Sequence, residues 1–65
     1  MEILTWQART EKNLTLVQLE ELTGISKSTL NTIENGITSP TLRQLEAIAT
    51  ALDVKITDLF DSEYK

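Results

Sequence analysis

The chain has 65 residues, 40% of them hydrophobic, a formal net charge of −4, and neither cysteine nor histidine. That length makes one small domain, residues 1–65, near the lower limit for a hydrophobic core without staples, and the missing Cys and His exclude a disulfide framework and a zinc-type site, so no cofactor is expected. No apolar run approaches the ~18 residues of a membrane span, and MEILTWQART lacks the charged start and apolar middle of a signal peptide, which leaves a soluble cytoplasmic protein as the expectation.

In chain order, the first helix is expected from Glu2 to Lys12, with Leu4 and Ala8 on one face and Ile3, Trp6, Gln7 and Thr10 on a neighbouring one. Trp6 reads as a half-buried core residue, with a partner contact as the sharper alternative. The next stretch, LTLVQLEELTGISKSTLNTIENG, reads as two short helices joined by a tight turn. Thr15 with Gln18 is a capping box, and Leu14 and Leu19 occupy the staple positions around it. Gly24 supplies the positive φ that ends that helix. Ser26 then caps the second helix, which buries Leu30 and Ile33 and leaves Lys27, Ser28, Thr29, Asn31, Thr32 and Asn35 outside. A short helix held against its partner with small polar side chains outward is the layout of a helix-turn-helix, here over about residues 15–35. The adjacent Glu20 and Glu21 point about 100° apart on a helix and do not converge as an acid/base pair. Without histidine, a glycine-rich loop or the length to form a pocket, the chain is not expected to be an enzyme or to hold a small-molecule ligand.

After Gly36 comes the loop ITSP, then Thr41 with Gln44 as another capping box. Leu42, Leu45, Ile48, Ala49 and Leu52 form one stripe of the following helix. Arg43 sits in its first turn, where the helix dipole disfavours a cation and an anion outside, such as a phosphate, would suit it. Asp53 ends the helix, tolerating the left-handed conformation at some cost. Val54, Ile56, Leu59 and Phe60 read as a last short apolar helix, and the polar tail 61–65 as frayed. Acids crowd the far end of the chain (Glu46, Asp53, Asp58, Asp61, Glu63), whereas Ile25 to Arg43 holds only Lys27, Glu34 and Arg43 and is net +1.

From Arg9 to Phe60 the chain resembles the XRE family, the helix-turn-helix domain of lambda-type Cro and repressor proteins. The residues that carry the resemblance are Arg9, Leu14, Thr15, Leu19, Gly24, Ile25, Ser26, Leu30, Ile33, Glu34, Gly36, Pro40, Leu45, Ile48, Ala49, Leu52, Val54 and Leu59. It implies an all-α, five-helix, lambda-repressor-like DNA-binding domain with the helix-turn-helix in helices 2 and 3. It also implies binding to operator DNA as a homodimer with the helix after Gly24 in the major groove. Arg9 is implied to pair internally with Glu34, and the C-terminal apolar residues Ile56, Leu59 and Phe60 to divide between the core and a dimer contact. Three positions depart from the family pattern: Leu16 stands where Gln usually holds a phosphate, Glu20 where Ala lets the two helices cross closely, and Lys27 is alone where relatives carry several cations.

The expected function is sequence-specific binding of double-stranded DNA as a small, repressor-like transcriptional regulator on a palindromic operator. Lys27, Ser28, Thr29 and Thr32 are placed at base edges, Lys27 donating to guanine and the Thr methyls meeting thymine methyls. Thr15, Asn35, Thr38, Thr41 and Arg43 are placed at phosphates, with Lys12 as a more distant charge. The rival expectation is the same fold used as a protein-interaction module, an antirepressor or antitoxin-like partner. It is favoured by the net charge, by Leu16 and by the outward-looking Leu16, Val17 and Leu22.

Overall fold

The computed structural model describes residues 1–65. Its elements are β1 (Glu2–Ile3), α1 (Thr5–Glu11), α2 (Leu16–Thr23), α3 (Lys27–Glu34), α4 (Leu42–Leu52), one 3₁₀ turn (Ile56–Leu59) and β2 (Phe60–Asp61). The local signals act where the sequence puts them. Thr15 and Thr41 each form a complete capping box, with Gln18 and Gln44 respectively, and Ser26 Oγ accepts from the Thr29 N–H. Gly24 closes α2 at φ 76°, a conformation that costs a residue without a Cβ little.

Leu19, Leu30, Leu45, Ile48, Ala49, Leu52 and Leu59, each at most 5% exposed, meet with Ala8 in one cluster. Leu14, Leu16, Ile25, Ala51, Val54, Ile56 and Phe60 pack around it. The cluster fixes α2 and α3 against α4, so the polar face of α3 is held away from the core on a rigid support.

Two expectations about the ends are corrected. Glu2 and Ile3 do not begin α1; they pair antiparallel with Asp61 and Phe60. The fifth helix is only the 3₁₀ turn, because Phe60 turns extended (φ −153°, ψ 158°) to make that ladder. At the start of the tail Asp61 lies in β2, and Lys65 Nζ donates to the Phe60 carbonyl at 2.9 Å. A short N-terminal segment and an apolar C-terminal one thus satisfy each other's backbone groups, a pairing of residues about sixty apart that helical periodicity does not register.

Leu42 and Trp6 also differ from expectation. Leu42 heads the α4 stripe in sequence but is 78% exposed, since at N1 it lies beyond the edge of the core. Trp6 is 51% exposed. No helix is long and apolar enough to cross a membrane.

Asp53 takes the left-handed conformation at φ 55°, ψ 48°. A residue with a Cβ pays about 1–2 kcal/mol there, and glycine returns part of that gain as unfolded-state entropy. Asp53→Gly is therefore expected to raise stability by about 0.5–1 kcal/mol, read as a rise in Tm of about 2–8 °C. A fall in Tm would show that the Asp53 side chain contributes more than its backbone costs.

Candidate nucleic-acid interface

The interface is built on α3. Ser26 caps it, Leu30 and Ile33 anchor its inner side at 1% exposure each, and its outward residues follow from that orientation. Lys27, Ser28, Asn31 and Asn35 are exposed and share a face. Thr29 and Thr32, placed at base edges by the sequence, are half-buried with their hydroxyls engaged. Ser26 Oγ donates to Thr29 Oγ1 at 2.9 Å, and Thr32 Oγ1 donates to the Thr29 carbonyl at 2.9 Å. Asn31 is more exposed than either.

Thr38 is taken up by the fold. With the Thr32 proton committed to the Thr29 carbonyl, the Thr38 hydroxyl is the donor in the 3.0 Å contact with Thr32. Its backbone N–H points at the Thr32 carbonyl at 3.4 Å. Both of its donors thus strap the loop to α3. Thr15 and Thr41 are exposed and use their hydroxyl oxygens as acceptors for Gln18 and Gln44 N–H groups at 3.1 and 3.0 Å, so each keeps a hydroxyl proton to donate outward. Asn35 spends one amide proton on Asn31 Oδ1 at 3.3 Å and keeps the other. Arg43 is exposed on the first turn of α4 and makes no ion pair.

Arg9 and Glu34 form a bidentate pair, Nε and one terminal nitrogen donating to the two carboxylate oxygens at 2.6 and 3.0 Å. The other terminal nitrogen of Arg9 donates to the Leu14 carbonyl at 2.7 Å. The side chains are only 12% and 5% exposed. The hydrogen bonds that Arg9 donates to Glu34 hold its guanidinium above its ordinary pKa against the opposing effect of burial. The pair ties α1, the loop after it and α3 together. It also cancels the one negative charge on α3, which leaves Lys27 and Arg43 as the uncompensated charges from Ile25 to Arg43.

Glu20, which stands where the family has Ala, finds a partner across the turn. Its carboxylate accepts from the Lys27 N–H at 2.9 Å. The first amide of α3 is one of the donors a helix cannot satisfy internally, and an anion there is favoured by the helix dipole. A carboxylate at the crossing of α2 and α3 becomes a second cap for α3, across the turn. Its signal in sequence was the spacing of Glu20 seven residues before an N1 amide on the far side of a glycine turn. Glu20→Ala is expected to cost about 1 kcal/mol. Faster exchange of the Lys27 amide relative to the Thr29 amide would locate the loss, and unchanged protection would exclude the cap.

The architecture and the exposed polar face of α3 together define a helix-turn-helix domain of the lambda-repressor-like kind. The chain belongs to the helix-turn-helix family of XRE type, whose profile matches residues 7–59. The chain is similar to the HTH-type transcriptional regulator SlrR of Bacillus subtilis (39% identical over 56 residues, 85% of this chain and 37% of SlrR). It is also similar to the HTH-type transcriptional regulator SinR of the same organism (37% over 60 residues, 91% of this chain and 54% of SinR). The chain thus spans about half or less of the length of these curated relatives. A crystal structure of SinR, described as the master regulator for biofilm formation in complex with DNA, superposes with a TM-score of 0.81 at 36% identity, covering 88% of this chain and 92% of that one.

The dimer expectation needs one correction. Leu59 is 0% exposed inside the core and is not available to a partner. Ile56 and Phe60 are half-buried and pack on the core cluster, each with some surface left.

Proposed function

We propose that the chain binds double-stranded DNA sequence-specifically as a small transcriptional regulator in the cytoplasm, as a homodimer on a palindromic operator, and carries no catalytic activity. The observation that carries this reading is the face of α3. Lys27, Ser28 and Asn31 project from a doubly capped helix whose acid is neutralised by Arg9, on a backbone fold similar to that of the DNA-bound SinR structure. Lys27 suits guanine O6/N7 and Asn31 suits adenine N6/N7. Thr15, Asn35, Thr41 and Arg43 are the phosphate contacts.

Selection from a random pool of duplexes tests it. The expected result is one enriched site with two-fold symmetry. A pool with no enriched sequence, even at low salt, removes the DNA-binding reading. A protein-interaction role is favoured by a different observation: Val17 and Leu22 of α2 are 47% and 59% exposed on a chain of net charge −4. A failed selection would move the assignment to that reading.

A further inference from the structure

The helix α3 ends on the one Asn-Gly pair in the chain. Asn13 precedes Leu14, Asn31 precedes Thr32, and Asn35 precedes Gly36. Both residues of the pair are exposed to water. The fold demands the glycine. Gly36 lies at φ 73°, and a Cβ there would meet nothing, so conformation rather than space excludes other residues. The Gly36 N–H donates to the Ile33 carbonyl at 3.1 Å and the Ile37 N–H to the Thr32 carbonyl at 2.9 Å, the paired bonds that close a helix end on a left-handed glycine. The cap thus sets beside Asn35 the residue that least shields its amide carbon from the next backbone nitrogen.

We propose that Asn35 is a spontaneous modification site, losing its side-chain amide to the Gly36 nitrogen and turning the end of α3 from neutral to acidic. The Gly36 nitrogen attacks Asn35 Cγ. The N–Cγ bond forms, the Cγ–Nδ2 bond breaks, and Nδ2 leaves as ammonia with the proton given up by the Gly36 amide. The product is a succinimide, and water opens it. Attack at Cγ restores the normal peptide with an aspartyl side chain. Attack at the Asn35 main-chain carbonyl carbon leaves Gly36 bonded through Cγ, an isoaspartyl link. Nothing is oxidised or reduced, and water is the only co-reactant.

The closed cap restrains this reaction. At ψ 1° the Gly36 nitrogen eclipses Asn35's own backbone nitrogen rather than its Cβ, and a succinimide ring cannot close there. The Asn35 amide is also held at Asn31 Oδ1 at 3.3 Å. Rotating ψ carries the Gly36 N–H away from the Ile33 carbonyl, so one opening of the last turn frees both reactants. Helix ends open at the low end of the free-energy scale. The folded chain is therefore expected to react about 5–30-fold more slowly than the unfolded one, restrained rather than locked.

The product differs in charge and in chain length. Its carboxylate sits at the C-terminus of α3, where the helix dipole disfavours an anion. The isoaspartyl link adds a methylene to the main chain, and the two closing bonds cannot both return. The consequence for binding rests on the DNA-binding reading. Asn35 changes from an amide that donates to a phosphate into a charge that repels one, on a chain already at −4. A duplex that engages the amide and holds the turn shut protects it, so copies on DNA keep the contact that free copies lose with time.

The test incubates the whole chain in mildly alkaline buffer, folded and in urea, with peptide mapping by mass and an isoaspartate assay. The expected result is conversion at Asn35 to both products, none at Asn13 or Asn31, and the stated slowing in the folded chain. Asn35→Gln should gain no acid, because its longer side chain does not form this ring readily. Asn35→Asp carries the charge without the altered main chain and should bind the selected duplex at least about tenfold more weakly. Adding that duplex should slow conversion of the wild type. Equal conversion at Asn13 or Asn31 overturns the proposal, as does a folded chain that stays intact at Asn35 while the unfolded chain reacts. Asn35→Asp binding like the wild type, or a bound duplex that gives no protection, overturns the consequence for DNA. If selection finds no site, the mapping still decides the modification, and only the DNA-binding reading falls.

Discussion

Arg9→Ala is expected to destabilise the domain by about 3–5 kcal/mol, because it leaves the Glu34 carboxylate buried and unpaired. Glu34 is 5% exposed and both its oxygens accept from Arg9, so no water can readily replace the guanidinium. Glu34→Ala is expected to cost less, about 1.5–3 kcal/mol, because Arg9 keeps its bond to the Leu14 carbonyl and its long stem can carry the head toward solvent. For a domain of this size each kcal/mol is worth about 4–8 °C in Tm, so Arg9→Ala should lower Tm by at least about 12 °C. A core this small rarely supplies more than about 3–5 kcal/mol, which brings that variant near unfolding at ordinary temperature. The double alanine variant should cost clearly less than the sum, since the second substitution removes the charge that the first left stranded. Additive shifts in that thermal cycle would show two independent charges and remove the pair from the account of stability.

How much of this was legible beforehand depends on the range of the signal. Thr15 with Gln18, Ser26, Gly24 and Thr41 with Gln44 all act within four residues, and each does in three dimensions what its spacing says. The same holds for the stripe Leu45, Ile48, Ala49 and Leu52, whose period alone places it in the core. What sequence reasoning missed is nonlocal. Glu2 pairs with Asp61 and Ile3 with Phe60, and neither end of that ladder has an alternating pattern long enough to announce a strand. Ile56, Leu59 and Phe60 looked like surplus apolar surface at the end of a short chain. Leu59 is instead enclosed by the core, while Phe60 is half-buried and keeps some surface. On α3 the outward face is the one the period predicts, and within it Asn31 is exposed while Thr29 and Thr32 are half-buried. Exposure depends on the angle at which Leu30 and Ile33 seat the helix, and a small rotation exchanges Thr32 for Asn31. Glu20 shows the same limit from another side. Its identity is at odds with the family pattern, yet its destination at the Lys27 amide depends on the turn between the helices.

On the proposed DNA-binding reading, the charges left free by this arrangement set the expected salt dependence. Arg9 is spent on Glu34, so each copy offers Lys27, Arg43 and, more remotely, Lys12. A dimer then neutralises about 4–6 phosphates, and the slope of log K against log[salt] is expected at roughly −4 to −5. Between 50 and 200 mM salt that amounts to a loss of about 250–1,000-fold in affinity, at the shallow end for a dimeric DNA binder. Thr15, Asn35 and Thr41 add phosphate hydrogen bonds but release few counterions. Non-specific binding should be weak, since the acids from Glu46 to Glu63 repel the duplex, and discrimination must come from base edges at about 1–3 kcal/mol for each good bidentate contact. Lys27 decides between two mechanisms. If it sits on a phosphate, Lys27→Ala lowers affinity for all sequences alike and flattens the slope by about one unit per subunit. If it donates to a guanine, the slope changes little and preference relaxes at one symmetric position of the site. The free carboxylates nearest α3 bear on the same measurement. Glu20 is held at the Lys27 amide, so Glu20→Gln keeps an acceptor there while removing a charge beside the duplex. It should strengthen binding at every sequence without moving the preferred site. A wild-type slope of −8 or steeper would mean that cations outside this face carry the contact, and would displace α3 from the centre of the interface.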